Sequence, residues 1–123
     1  MKILIVDDSK LARMAVAKAL NAHHPEINRL EAANADEAVV LARDVDIAVL
    51  DFNMPGRDGL TLAAELRAIN PAMPVAIISA NHQQEVVQRA RDMGATFLKK
   101  PLTEQALNEF LSGAVQKLKA GTK

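Results

Sequence analysis

Four runs of apolar residues in this sequence each stop at a residue that can do chemistry. Ile3-Leu4-Ile5-Val6 stops at Asp7-Asp8, and Ile47-Ala48-Val49-Leu50 stops at Asp51. Val75-Ala76-Ile77-Ile78 stops at Ser79, and the shorter run from Ala95 to Leu98 stops at Lys99-Lys100-Pro101. Three carboxylates brought close together repel one another unless protons or a cation neutralise them. A hard divalent ion with oxygen ligands is the simplest neutraliser. A small ligand set without histidine favours Mg2+ over a dedicated calcium cage. A lysine and a hydroxyl beside such an ion suit a phosphoryl group in transfer, whose oxygens need cations and donors. One of the carboxylates can then be the nucleophile and become an acyl phosphate.

That chemistry requires the four run ends to meet, and the pattern between them says how. Leu11, Ala15 and Leu20, flanked by Ala12 and Ala19, predict a helix after the first run. Residues 27–32 read as a strand. Asn34-Ala35-Asp36-Glu37 forms a capping box for an alanine-rich helix to about Arg43. Asp58 caps a helix carrying Leu62, Leu66 and Ile69, which Pro71 and Pro74 end. Asn81, with Gln84 following, caps the next helix, and Gly94 stops it. Thr103 caps a last helix with Leu107, Leu111, Ala114 and Leu118 on one face, and the basic tail from Lys117 is expected to fray.

Strand and helix alternate strictly through five units, which predicts an α/β fold: a parallel sheet with helices on both faces. Runs 3–6, 47–50 and 75–78 are apolar at every position and so belong in the centre. The segment 27–32, with Asn28, Arg29 and Glu31, and the short segment 95–98 belong at the edges. All strand ends of a parallel sheet lie on one edge, where open α/β sheets bind their ligands.

The chain has 123 residues, which is expected to make one domain over 1–123. Lys plus Arg and Asp plus Glu both number 15, so no bulk attraction to nucleic acid or an anionic membrane follows. Only Phe52, Phe97 and Phe110 are aromatic, too few for a base-stacking platform. Cysteine is absent, which removes disulfides and thiolate metal sites. The N-terminal apolar run is too short for a signal peptide or membrane span, so a cytoplasmic location is expected.

Taken in order, Ile-Val-Asp7-Asp8-Ser, Val-Leu-Asp51-Phe-Asn53-Met-Pro55-Gly56-x-Asp58-Gly59, Ile-Ile-Ser79-Ala80 and Phe97-x-x-Lys100-Pro101 resemble the receiver domains of two-component response regulators. The resemblance runs from Lys2 to about Lys117 and is closest to single-domain receivers of the chemotaxis-regulator kind. It implies a doubly wound, flavodoxin-like sheet of order 2-1-3-4-5. It implies that Asp51 accepts a phosphoryl group from a sensor histidine kinase or a histidine phosphotransfer protein. Mg2+ is then held by the side chains of Asp8 and Asp51 and the backbone carbonyl of Asn53, with Asp7 supporting it through water. Lys100 pairs with Asp51 and later with the phosphoryl oxygens, and the Lys100-Pro101 bond is cis. Ser79 reports phosphorylation, at a position more often Thr. Phe97 is the switching aromatic, without the hydroxyl of the frequent Tyr, so it can signal only through packing.

Blander readings exist for single residues. Asp8 could cap the first helix, Ser79 could be a loop hydroxyl, and Asn81 reads better as a cap than as a catalytic modulator. Lys99 is the better surface lysine of its pair. His23, His24 and His82 lack metal-ligand spacing and read as surface or loop residues. Arg89-Ala90-Arg91-Asp92 reads as a solvated helix face, and Gly56 and Gly59 suit unusual backbone angles. Among rival functions, a Mg2+-dependent phosphohydrolase wants a second carboxylate two residues after its nucleophile, where Asn53 stands. A mononucleotide binder wants a Ser/Thr/Gly-rich loop where Asp7-Asp8-Ser9 stands. A receiver acting by contacts alone would not need the full acidic set. The expectation is therefore a signalling phosphoacceptor, not an enzyme. Its phosphoryl group is gained and lost on its own residues. With no attached output domain expected, its output is a protein contact across the helix after Asn81, the strand of Phe97 and the helix after Thr103.

Overall fold

The computed structural model describes residues 1–54, 56–80 and 83–120. Strands β1 (Lys2–Val6), β2 (Asn28–Ala32), β3 (Ile47–Asp51), β4 (Val75–Ser79) and β5 (Thr96–Lys99) alternate with helices α1 (Lys10–His23), α2 (Ala35–Leu41), α3 (Gly59–Ile69), α4 (Gln84–Asp92) and α5 (Glu104–Ala120). A 3-10 turn, Ala42–Asp44, follows α2. All strand pairs are parallel, and the sheet order is β2-β1-β3-β4-β5.

Alternation along the strands splits the core in two. Leu4, Val6, Ala48, Leu50, Val75 and Ile77 belong to the core shared with α2, α3 and α4. Ile3, Ile5, Ile47, Val49, Ala76, Ile78 and Leu98 belong to the one shared with α1 and α5. Both sides are covered, so β1, β3 and β4 are buried almost throughout, and the polar residues of β2 sit at an edge as expected.

Helix starts follow their caps. Glu37 N–H donates to Asn34 Oδ1 at 2.9 Å, and the Glu37 carboxylate accepts from Ala33 N–H at 3.1 Å. Thr61 N–H donates to Asp58 Oδ1 at 2.8 Å, and Ala106 N–H to Thr103 Oγ1 at 3.1 Å. Several local expectations need correction. The cap of α1 is Ser9 rather than Asp8: its hydroxyl accepts from Ala12 N–H at 3.3 Å. The buried face of α1 is Val16, Ala17, Ala19 and Leu20, while Leu11 is 78% exposed, because α1 meets the sheet mainly through its second half. Ile69 is likewise exposed at the end of α3. The last helix continues past Lys117 to Ala120, and residues 121–123 of the basic tail lie outside the described residues. Helix α4 begins at Gln84, after Gln83; Asn81, the expected cap, lies outside the described residues, as do Pro55 and His82.

Candidate functional site

Register brings the strand ends together. Val6 pairs with Leu50, so the next residues, Asp7 and Asp51, stand side by side. Asp51 pairs with Ile78, one residue before Ser79, and Ser79 pairs with Lys99, one residue before Lys100. The crevice between β1, β3 and β5 therefore collects charges of both signs at the C-terminal edge of the sheet.

Carboxylate oxygens of Asp7, Asp8 and Asp51 lie within 4.8 Å of one another. Asp7 and Asp51 are buried, and Asp8 is exposed at the mouth. Lys100 Nζ stands 2.8 Å from Asp51 Oδ1. That oxygen is buried and, apart from the ionic contact, accepts no hydrogen bond of regular geometry among the described residues. A buried, negatively charged oxygen with free lone pairs, beside two more carboxylates, is a donor set that suits a hard divalent cation. The Lys100-Pro101 peptide is cis, as expected.

Burial and charge crowding both act on the ionisation of the site. Burial holds the Asp7 carboxyl above its ordinary value, with repulsion from Asp51 and Asp8 in the same direction. The Ser9 N–H, 2.9 Å from Asp7 Oδ1, and the Lys100 charge pull against it. For Lys100, burial works to lower the pKa, but the bond to Asp51 and the charges of Asp51, Asp7 and Asp8 outweigh it and raise it. The lysine thus stays protonated in spite of its partial burial.

Ser79 is fully buried at the end of β4. Phe97 is half-buried on β5 opposite Ile77, packed on the core that includes Val86 and Ala90 of α4. Asn53 stands exposed in the loop after β3. A groove of about 780 Å³ opens from Asp7 and Lys100 between α1 and α5, with Ala12, Ala15, Ala19 and Leu102 on its walls.

Two glycines follow Asp51 for different reasons. Gly56 has φ +85°, the left-handed conformation expected of it. Gly59 does not have a positive φ. Its requirement is space: a Cβ there would sit 2.6 Å from the Asp51 carbonyl oxygen and 3.0 Å from Phe52 Cα. Its N–H donates to the Phe52 carbonyl at 2.9 Å.

Three arginines with structural roles were not singled out by motif. The Arg13 guanidinium donates from Nη1 to the Asp7 carbonyl and from Nε to Glu31 at 3.0 Å. Arg57 bridges Asp36 at 2.6 Å and Glu65 at 3.1 Å. Arg67 donates to the carbonyls of Met93 and Gly94. None of these partners lies at a helical or strand spacing, so local pattern carries no sign of them. Of the histidines, His23 is exposed, but His24 is not a free surface residue: its Nε2 lies 2.7 Å from Asn108 Oδ1 on α5.

Known proteins share this arrangement. Residues 3–112 match the model of the response regulator receiver domain. The glycerol metabolism activator of Pseudomonas putida is 37% identical over 122 residues, covering 93% of this chain and 55% of that protein. The transcriptional regulatory protein PdtaR of Mycobacterium tuberculosis is 36% identical over 121 residues, covering 96% of this chain and 58% of that protein. This chain spans between 31% and 58% of the length of the first curated relatives that it matches. In the solved CheX–CheY–BeF3–Mg2+ complex from Borrelia burgdorferi, the matching chain superposes with a TM-score of 0.83 at 27% identity, covering 94% of this chain and 89% of that one. Since the matched span holds four strands whole, all but the first residue of β1, and the three carboxylates of the crevice, the chain belongs to the family of response regulator receiver domains.

Proposed function

We propose that Asp51 is the phosphoacceptor of this receiver and takes its phosphoryl group from a histidine kinase or a histidine phosphotransfer protein. Receiver domains are signalling phosphoacceptors of two-component systems rather than enzymes in the ordinary sense, and they typically bind Mg2+ at an acidic pocket. The observation that carries the reading is the Asp51 carboxylate: buried, at the end of the central strand, 2.8 Å from Lys100 and within 4.8 Å of Asp7 and Asp8.

Asp8, Asp51 and the carbonyl of Asn53 are the proposed ligands of Mg2+, with Asp7 supporting it through water. Bound there, the ion supplies positive charge against the phosphoryl oxygens. An Asp51 oxygen attacks phosphorus, and a new O–P bond forms as the bond from phosphorus to the donor nitrogen breaks. Lys100 is already positioned on Asp51 and can follow the negative charge onto the phosphoryl group. Water later cleaves the acyl phosphate, returning free Asp51 and inorganic phosphate. Ser79 donates its hydroxyl to the phosphoryl group, and the shift of its loop is transmitted to Phe97 on the neighbouring strand. The downstream protein then reads the face made by α4, β5 and α5. A similar chain solved in complex with CheX supports output through protein contact.

Acetyl phosphate with Mg2+ should add one phosphoryl group that is stable in acid and labile in base. Asp51→Asn should abolish it. Labelling that survives this change, with Asp7 and Asp8 intact, would falsify the assignment.

A further inference from the structure

We propose that Arg13 is a positioning residue for the acidic crevice, holding the turn that carries Asp7 and Asp8 in its cation-binding shape. The proposal rests on the reading of that crevice as the Mg2+ site.

The turn between β1 and α1 has to aim two adjacent carboxylates inward against their mutual repulsion. Its backbone is fixed at three points. Asp7 N–H donates to the Ala32 carbonyl at 3.1 Å, extending the pairing of β1 with β2 by one residue. Ser9 N–H donates to Asp7 Oδ1 at 2.9 Å. The third point is the Asp7 carbonyl, which accepts from Arg13 Nη1. That carbonyl begins the peptide joining Asp7 to Asp8, so its direction sets where both side chains leave the chain.

Arg13 is well placed to hold it. Its side chain is 15% exposed, and Arg13 N–H already closes the first turn of α1 on the Ser9 carbonyl at 3.1 Å. Its Nε is occupied by Glu31 on β2, 3.0 Å away. One planar fork therefore joins the start of α1, the end of β1 and the edge strand β2. A lysine can supply the charge but not two donors in fixed relation. Arg13 touches neither the carboxylates nor any reacting atom through these bonds; it acts through the backbone of Asp7.

A residue that orients the ligands of a metal changes affinity more than it changes the reaction at saturation. Arg13→Met should raise the Mg2+ concentration for half-maximal acetyl phosphate labelling by about tenfold, and leave the Mg2+-saturated rate within about threefold of the parent. Calorimetric titration with MgCl2 alone should show the same loss of affinity. Arg13→Lys should fall between Arg13→Met and the parent. Glu31→Gln, which leaves the carbonyl bond in place, should move half-saturation by less than about threefold. If Arg13→Met does not fold, Arg13→Lys decides. Half-saturation within twofold of the parent in the folded variant, whatever its melting temperature, overturns the proposal and makes Arg13 a stability residue only. A parent that binds MgCl2 without being labelled rejects Asp51 as acceptor and still leaves the calorimetric comparison to judge Arg13. A parent that does neither rejects both.

Discussion

Asp7→Asn should make the metal-free protein more stable and weaken its response to Mg2+. Carboxylate oxygens within 4.8 Å of each other repel by about 3 kcal/mol per pair at an effective dielectric constant near 20. Lys100 offsets part of this for Asp7, and Asp8 is exposed and screened. The surviving penalty is about 1–2 kcal/mol. An asparagine keeps the acceptor for the Ser9 N–H, so the turn itself is not broken. For a domain of this size the gain corresponds to a rise in Tm of about 3–6 °C in EDTA at neutral pH. The sign with pH follows from the direction of the shift. The folded pKa of Asp7 is raised, so the folded state binds this proton more tightly than the unfolded state does. Its contribution is intact below the unfolded value, about 4, and is lost as pH rises through the folded value. The advantage of Asp7→Asn should therefore be full near neutrality and vanish on acidification. With Mg2+ present the order should narrow or reverse, because ligand binding stabilises the parent more. Thermal melts across pH, with EDTA and with MgCl2, make the measurement. A variant that melts at or below the parent in EDTA at neutral pH would show that burial and charge crowding do not penalise the Asp7 carboxylate.

Gly59→Ala should destabilise the fold by about 2 kcal/mol, since the added methyl meets backbone that cannot turn aside; denaturant unfolding reads it, and a neutral result would mean that the start of α3 shifts freely. Asn34→Ala should cost about 1 kcal/mol through loss of the cap on α2 and leave Mg2+ affinity unchanged. Ser79→Ala should still be labelled on Asp51 yet gain little affinity for the downstream partner, measured by comparing labelled and unlabelled protein in a binding titration; a gain equal to that of the parent removes Ser79 from the switch.

The full strand order came with the family resemblance, but the meeting of Asp7, Asp51, Ser79 and Lys100 was legible because each lies at or just past the end of an apolar run. A parallel sheet turns such ends into neighbours without further information. The caps Asn34, Asp58 and Thr103 were legible because their partners lie three residues on. The face of α1 was not, because Leu11 was read together with Leu20 although it stands on another side of the helix from Val16, Ala19 and Leu20, the set that meets the sheet. The clamps made by Arg13, Arg57 and Arg67 join residues 18, 21 and 26 positions apart, and His24 reaches Asn108 across 84. Long polar side chains meet their partners only after the chain has folded. Gly59 was picked out correctly but for a different reason, because a lack of room leaves the same mark in a sequence as an unusual angle.

The close seat of Gly59 also decides what can move. Its Cα rests on the Asp51 peptide and its N–H closes on Phe52, so the end of β3 and the start of α3 form a closed linkage with no slack. Helix α4 is tethered differently. Arg67 grips the carbonyls of Met93 and Gly94 at its far end. On the proposed reading, charge added at Asp51 therefore meets a stiff neighbour in the start of α3. A displacement at the end of β3 should thus carry the start of α3 with it as one body, while α4 is held to α3 through its last turn.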